Sequence, residues 1–566
     1  MIRRFPWIPA AVLVASAVLF FFINRAAYKG YFSDDDLTNL GWPTFVGNDV
    51  FVNGLITPKF DPSNFRPAAF LYYRYMGRTF KLHYTPYVAV LQALHILNAI
   101  LLFFILRRLD LPSIAAWTGA LFYVFSAVAM EAYWKPMYVF DLMCATFCLA
   151  TMLLYIRGRW ILAVPMMWLA YKSKEMAVML PVALLAHDFL FGRLKLWWRL
   201  IPFFVISLLF GLQALWHNTH MTVKDVYALN FSPRLLWNTI AFYSSSALFI
   251  PFGVIAILLL PLLLRDRRLI LGLVTMLALL FPLIALSNRV ANAYWYVPLI
   301  GLSIAAATIA AHVPRWAIPA FFAIWLPVNY GMVRTTRNDY LARSDEARSY
   351  VNGLRNFARG LPPVKTVVFD ATPPHMEPWG IDGAIKLIFG FGVDDVWVKD
   401  DRAQQALRNV PAVVVSYYPV ARAVKGLVLI TKELPRTIDF SGAVLESQLG
   451  PGWYADYQAA PIRRTMPKAE LTLYRPAGAT EFSLSGVIPA QSSQPEVPSG
   501  LTVLEDGQSL GTQTLTGAKE QILHWKLSNT DAGERHITIL STPVRYQPRD
   551  VNEYGIVVSR LGYSAR

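Results

Sequence analysis

Three consecutive carboxylates, Asp34, Asp35 and Asp36, follow directly on the first long apolar stretch of the chain. Carboxylates at such a boundary can take a proton from an attacking hydroxyl or amide, and the position suits a substrate anchored by a lipid tail. One would act as general base while a neighbour orients the acceptor or holds a cation. The structural alternative is a solvated turn capped by Ser33. Groups of opposite sign follow: Lys135, then Lys172 and Lys174 beside Glu175, then Arg289. Chain alternation assigns these to the same membrane face as the aspartates, where the positive-inside rule disfavours cations. They would bind the phosphate of a lipid carrier and stabilise it as a leaving group. Contacts with anionic headgroups, or snorkelling, are the other explanation. Glu131 and Asp141 flank the same outer connection, and Asp141 falls within the membrane boundary, where a carboxylate is a functional candidate unless it pairs with Lys135. His95 stands on an otherwise apolar face and fits a satisfied core histidine better than a ligand. No HExxH, paired CxxC, Walker loop or GxGxxG-plus-acid pattern is present, which removes soluble zinc and nucleotide chemistries. No residue set identifies a metal, and a divalent cation at the carboxylates stays open; no other cofactor is implied.

These residues must be positioned by helices in a bilayer. The 566 residues are 55% hydrophobic, 14% aromatic and only 16% charged, a membrane composition. Apolar runs bounded by charge predict about eleven spans, near residues 7–23, 84–106, 112–130, 137–156, 160–171, 176–191, 197–216, 247–264, 268–286, 294–312 and 315–332. The charged start and apolar run at the N-terminus lack a small-residue cleavage site and are expected to form a retained first span. With that end cytoplasmic, Arg107 and Arg108, Arg157 and Arg159, Arg193 to Arg199, Arg265 to Arg268, and Arg315 all face the cytoplasm. An odd number of crossings then places everything after about Arg334 outside. The formal charge of +16 is what such loops carry. No basic stripe with interleaved aromatics appears in the soluble part, so nucleic-acid binding is set aside.

The first outer loop, residues 24–83, is far longer than a bundle connection needs, and long loops of this kind are usually functional. A second, from His217 to about Pro233, has the character of a lid. After residue 333 the sequence turns globular. Strands near Thr366 to Asp370 and Ala412 to Tyr417 with a helix near Ile381 to Ile388 predict a soluble α/β module over 334–444, and short strands with turn signals predict a β-sandwich over 445–566. A Pro/Ser-rich linker occupies about Ala490 to Gly500. Cys144 and Cys148, four apart in an apolar run, share a helix face as packing residues.

In sum of its motifs the membrane part, residues 1–332, resembles the GT-C superfamily of multi-spanning glycosyltransferases that use polyprenyl- or dolichyl-phosphate sugars, nearest to bacterial relatives of protein O-mannosyltransferases and of the TMTC proteins. Phe32-Ser-Asp-Asp-Asp-Leu-Thr-Asn39 resembles the family's aspartate pair, with three aspartates where the family has two. Phe65-Arg-Pro67, then Leu94-His95 and Asn98, resemble its arginine-proline and leucine-histidine signatures. Met130-Glu131-Ala132 with Asp141 is similar to the next acidic pair, Tyr138-Val139-Phe140 standing where an arginine is common. Ser173-Lys174-Glu175 before Leu180-Pro181 is the most specific match, and Asn288-Arg289 with Tyr294-Trp-Tyr296-Val-Pro298 looks like the late arginine-tyrosine-proline segment.

The resemblance implies a GT-C-like catalytic domain over 1–333 with Asp35 or Asp36 as base and Asp34 beside them. Lys174, Arg289 and Lys172 would lie near the donor phosphate, and Arg66, His95, Glu131, Asp141, Glu175 and Tyr296 would bind or orient substrate. The C-terminal stretch containing Gly452-Trp-Tyr454, Arg463-Arg464, Ala469 to Leu473 and Tyr554 to Val558 resembles carbohydrate-binding sandwich modules. The partners implied are a polyprenyl-phosphate sugar, membrane lipids and a protein or glycan acceptor, in the plasma membrane of a bacterium. The expected activity is inverting sugar transfer at the outer face. The alternatives are a flippase for lipid-linked glycans, which needs mid-membrane charge and internal symmetry not visible here, and a non-catalytic sugar-binding assembly subunit.

Overall fold

The computed structural model describes residues 7–59, 65–219, 228–397, 400–442, 444–454, 460–490, 497–528, 530–546 and 553–564. The chain divides into two compact units, Met1–Ser344 and Asp345–Arg566. The first is helical, the second rich in β-structure. Residues 220–227 of the expected lid and 491–496 of the expected linker lie outside the described residues.

The helices of the first unit are α1 (Trp7–Asn24), α2 (Asp34–Phe45), α3 (Asn48–Ile56), α4 (Pro67–Phe80), α5 (Thr85–Arg108), α6 (Ser113–Phe125), α7 (Val139–Ile156), α8 (Trp160–Ser173), α9 (Leu180–Leu190), α10 (Ile201–Thr219), α11 (Pro233–Ser246), α12 (Gly253–Leu258), α13 (Arg267–Ile284), α14 (Leu299–His312) and α15 (Ala317–Ala358). Of the eleven expected spans, four stand as helices long and apolar enough to cross a membrane among the described residues: Thr85–Arg108, Pro136–Ile156, Leu194–His217 and Arg267–Ile284. A fifth is reached if Ser113–Phe125 and Ala127–Tyr133, bent by 64° to each other, form one broken span. For several of the others the reason is length. A straight crossing takes roughly 20 residues, whereas α9 has 11, α12 has 6 and α14 has 14. The last expected span does not end near residue 332 but continues as α15, 42 residues long, across the division between the units.

Small residues set how closely the helices approach. A Cβ on Gly301 of α14 would fall 2.4 Å from the carbonyl oxygen of Gly272 on α13, so only glycine permits this crossing. Cys144 and Cys148 are free and buried on α7, as their spacing predicts. The basic connections gather at one end of the bundle. Arg268 donates to the carbonyl of Asp110 at 3.2 Å, Arg267 lies over the Phe191 ring, and Arg193 donates to the carbonyl of Ile156. The opposite end holds the start of α7, the end of α8, the connection from α13 to α14, and the long first loop, which folds into α2, α3 and α4.

In the second unit, β1 (Thr366–Ala371), α16 (Pro378–Phe389), β2 (Asp394–Trp397), α17 (Ala403–Leu407), β3 (Ala412–Tyr418) and β4 (Ala423–Leu429) form a sheet of order β2-β1-β3-β4. The first three strands are parallel and β4 is antiparallel to β3. The remaining strands are β5 (Thr437–Asp439), β6 (Arg463–Arg464), β7 (Lys468–Arg475), β8 (Glu481–Val487), β9 (Ser499–Glu505), β10 (Gln508–Leu515), β11 (Gln521–Lys526), β12 (Gly533–Thr542), β13 (Arg545–Tyr546), β14 (Glu553–Tyr554) and β15 (Val557–Ser564). Two sheets, β10-β9-β12-β7 and β11-β8-β15-β5, are closed by one core, in which Leu471, Leu501 and Ile537 meet Phe482, Leu484 and Leu561. The alternating burial of β7 and β8 is the signature of strands with one face in a core. The sandwich begins earlier than the expected boundary at 445, because β5 pairs with β15 and Ile438 and Phe440 enter its core.

Candidate active site

The acidic triplet forms the first turn of α2, where carboxylates are favoured by the helix dipole. Its members differ in surroundings. Asp36 is fully buried: its carboxylate accepts from the amide and hydroxyl of Ser33, each at 2.9 Å, and from the Tyr73 hydroxyl of α4 at 2.8 Å. Burial pushes its pKa up to about 7, outweighing the opposing pull of the Ser33 amide, the Tyr73 hydroxyl and the Ser33 hydroxyl. Asp34 and Asp35 stay partly exposed.

A raised carboxylate pKa means that the folded protein holds a proton the unfolded chain has released between about pH 4 and 7. Stability therefore falls as pH rises through that window. Asp36→Asn, neutral throughout, is expected to remove this slope from a plot of melting temperature against pH. Parallel profiles for wild type and variant would show that Asp36 is not the group responsible.

Around the triplet the structure assembles charged side chains from elements far apart in sequence. Arg66, at the start of α4, makes a two-pronged pair with Glu175, Nε to Oε1 and Nη2 to Oε2 both at 2.9 Å, and lies over the Phe140 ring. Lys174, extended between α8 and the 3-10 turn Glu175–Met179, donates to both oxygens of Asp141 at 2.7 Å. Its ammonium also sits 4.6 Å from the centre of the Tyr294 ring, whose hydroxyl accepts from Arg289 Nε. Glu131 accepts from Lys135 at 2.6 Å. The Tyr138 phenol lies in the electrostatic range of Glu131, Tyr294, Asp141 and Asp35 together. Its neighbour Met137 takes the Ser33 hydroxyl at 3.3 Å, tying the turn Pro136–Tyr138 to the start of α2.

Thus Asp35, Asp36, Arg66, Glu131, Asp141, Lys174, Glu175 and Arg289 meet at one end of the bundle. Three expected site residues do not join them. Lys172 turns to the carbonyls of Thr57 and Lys59, at 2.6 and 3.5 Å, over Trp168 and Phe210. It fastens the end of α3 to α8. His95 and Tyr296 bond to each other at 2.9 Å in the core, where His95 Nε2 also meets the carbonyl of Val124 and the ring stacks on Tyr133. Asn98 bridges Tyr296 to the carbonyl of Leu142, next to Asp141. Among the described residues, no three His, Cys, Asp or Glu side chains come together to hold a metal ion.

Sequence reasoning missed Tyr73, which holds Asp36, and gave no role to Tyr138. A lone tyrosine carries no local signal. The one available hint was the tyrosine-rich run Tyr72-Tyr73-Arg74-Tyr75 inside a connection that needed no helix.

No family model matches the chain, and no curated protein matches it in sequence. Among solved structures it is similar to ArnT from Cupriavidus metallidurans in the apo state, with 13% identity over 72% of this chain and 93% of that one and a TM-score of 0.44. The same protein bound to undecaprenyl phosphate gives 12% identity, 73% and 94% coverage and the same TM-score of 0.44.

Proposed function

We propose that the protein transfers a sugar from a polyprenyl-phosphate carrier to a hydroxyl- or amide-bearing acceptor. The reading rests on one observation: an acid-bearing helix start and two cations joined by one aromatic ring, Lys174 and Arg289 on Tyr294, converge at one end of an apolar helical bundle. Asp35 takes the proton of the acceptor as its oxygen or nitrogen attacks the anomeric carbon. The bond from that carbon to the phosphate oxygen breaks, and the polyprenyl phosphate leaves with the electron pair. Arg289 and Lys174 stabilise the charge that develops there. Asp36, enclosed by Ser33 and Tyr73, positions the first turn of α2 rather than reaching substrate.

A reconstituted assay offering the full protein a panel of radiolabelled polyprenyl-phosphate sugars tests this directly. At least one donor should be consumed with release of the lipid phosphate. Movement of an intact lipid-linked glycan across the bilayer, with no donor consumed, would replace the reading with transport.

The proposal places the acidic end of the bundle outside the cell and the basic end in the cytoplasm, following the charge rule. Alkaline phosphatase fused after Arg566 should then be active in bacteria. An inactive but stable fusion would reverse the orientation.

A further inference from the structure

Two of the membrane crossings meet at the basic end of the bundle. The crossing Pro136–Ile156 runs out at Arg157, and the crossing Leu194–His217 begins with the 3-10 turn Leu194–Leu200. The connections at these two ends touch: the rings of Trp160 and Trp198 meet edge to face at 5.3 Å, and Arg193 donates to the carbonyl of Ile156 at 3.4 Å. Both therefore stand at one membrane surface. Arg157 and Arg159 come from the first connection, and Arg193, Lys195 and Arg199 from the second. Arg193 and Arg199 both lie within electrostatic reach of the Tyr155 phenol, near the end of α7.

Five cations gathered on two touching connections repel one another unless anions lie among them. Among the described residues, none of the five makes an ion pair. The carboxylate nearest to Arg193 in the chain, Asp188, is 2% exposed and already accepts from the Tyr155 hydroxyl at 2.5 Å, with His187 Nδ1 at 3.1 Å. The counterions therefore come from outside the chain. On the same turn Trp197 and Trp198 are 61% and 45% exposed, and Leu194 is 41% exposed. Indoles at the ends of crossings settle at the level of the lipid headgroups, with the ring against hydrocarbon and the N–H in water. A free phosphate would answer only the cations. A lipid phosphate arrives with the glycerol and acyl chains that cover the indoles and Leu194.

We propose that these two connections bind the headgroup of an anionic phospholipid, the guanidinium groups and Lys195 holding the phosphate oxygens and the exposed indoles lying along the glycerol and acyl chains. The site is independent of the sugar-transfer reading. Native mass spectrometry of the full chain in detergent, titrated with dioleoylphosphatidylglycerol or dioleoylphosphatidylcholine, tests it. The anionic lipid should bind more tightly than the zwitterionic one. Arg193→Gln/Arg199→Gln should weaken the anionic lipid by about 30-fold, the loss expected for two cations at a charged membrane surface. Arg159→Gln/Lys195→Gln, at two exposed positions, should do the same and decides the matter if the first pair fails to fold. Arg108→Gln/Arg315→Gln removes equal charge from two other exposed positions and should leave the affinity unchanged. Equal affinity for the two lipids, or an equal loss in that control, would overturn the proposal and leave only general surface charge. So would binding of inorganic phosphate that the first two variants abolish, with no preference between the lipids, which would assign the cations to a soluble anion.

Discussion

Asp35→Asn should lower turnover by roughly 10²–10⁴-fold, the loss typical when a general base is removed. The amide keeps the shape of the side chain and its place in the first turn of α2 but cannot accept the proton. Expression and melting temperature should be close to wild type, because the amide and hydroxyl of Ser33 that cap the turn donate to Asp36. The same distinction orders the series. Asp36→Asn should act mainly on the pH dependence of stability, and Asp34→Asn, next to the cap, should be mildest. Single-turnover rates with a fixed donor provide the measurement. Full activity in Asp35→Asn together with its loss in Asp36→Asn would move the base one residue along the helix and require the first turn to open.

The second large effect concerns Lys174. Its ammonium has a partner inside the protein, the almost fully buried Asp141. Lys174→Met should therefore destabilise the bundle by about 3–5 kcal/mol, because it strands a carboxylate in apolar surroundings. Lys174→Met/Asp141→Leu removes both charges and should recover most of that stability. If Lys174 also faces the donor phosphate, the double variant stays inactive despite its recovered fold, whereas a purely structural pair would regain activity with stability. Thermal denaturation in detergent and donor consumption, measured on the same preparations, separate the two outcomes.

The coarse plan of the molecule was legible in the chain because long apolar runs and alternating strands are one-dimensional patterns. β1, β3 and α16 fall where Thr366 to Asp370, Ala412 to Tyr417 and Ile381 to Ile388 predicted them. Segments such as 176–191 and 247–264 were apolar enough to read as spans. They divide into short helices because glycine, proline and 3-10 turns interrupt them, and hydropathy does not see those breaks. In the site, residue type pointed to the acids and cations but not to their pairing. Arg66 and Glu175 are 109 positions apart, and Lys174 finds Asp141 across 33. Which of three adjacent aspartates is enclosed depends on Tyr73, contributed by another helix, and no spacing within the triplet encodes that.

The two cysteines of the chain are both shut inside α7. The native protein is thus nearly silent toward water-soluble thiol reagents. A single cysteine introduced at an exposed position would be the dominant label-accessible sulfur, without prior removal of any other. Fluorophores, spin labels and membrane-impermeant maleimides can accordingly be placed one site at a time on an otherwise unaltered sequence. Accessibility from either side of the bilayer then becomes a direct readout of which end of the bundle faces the cell interior.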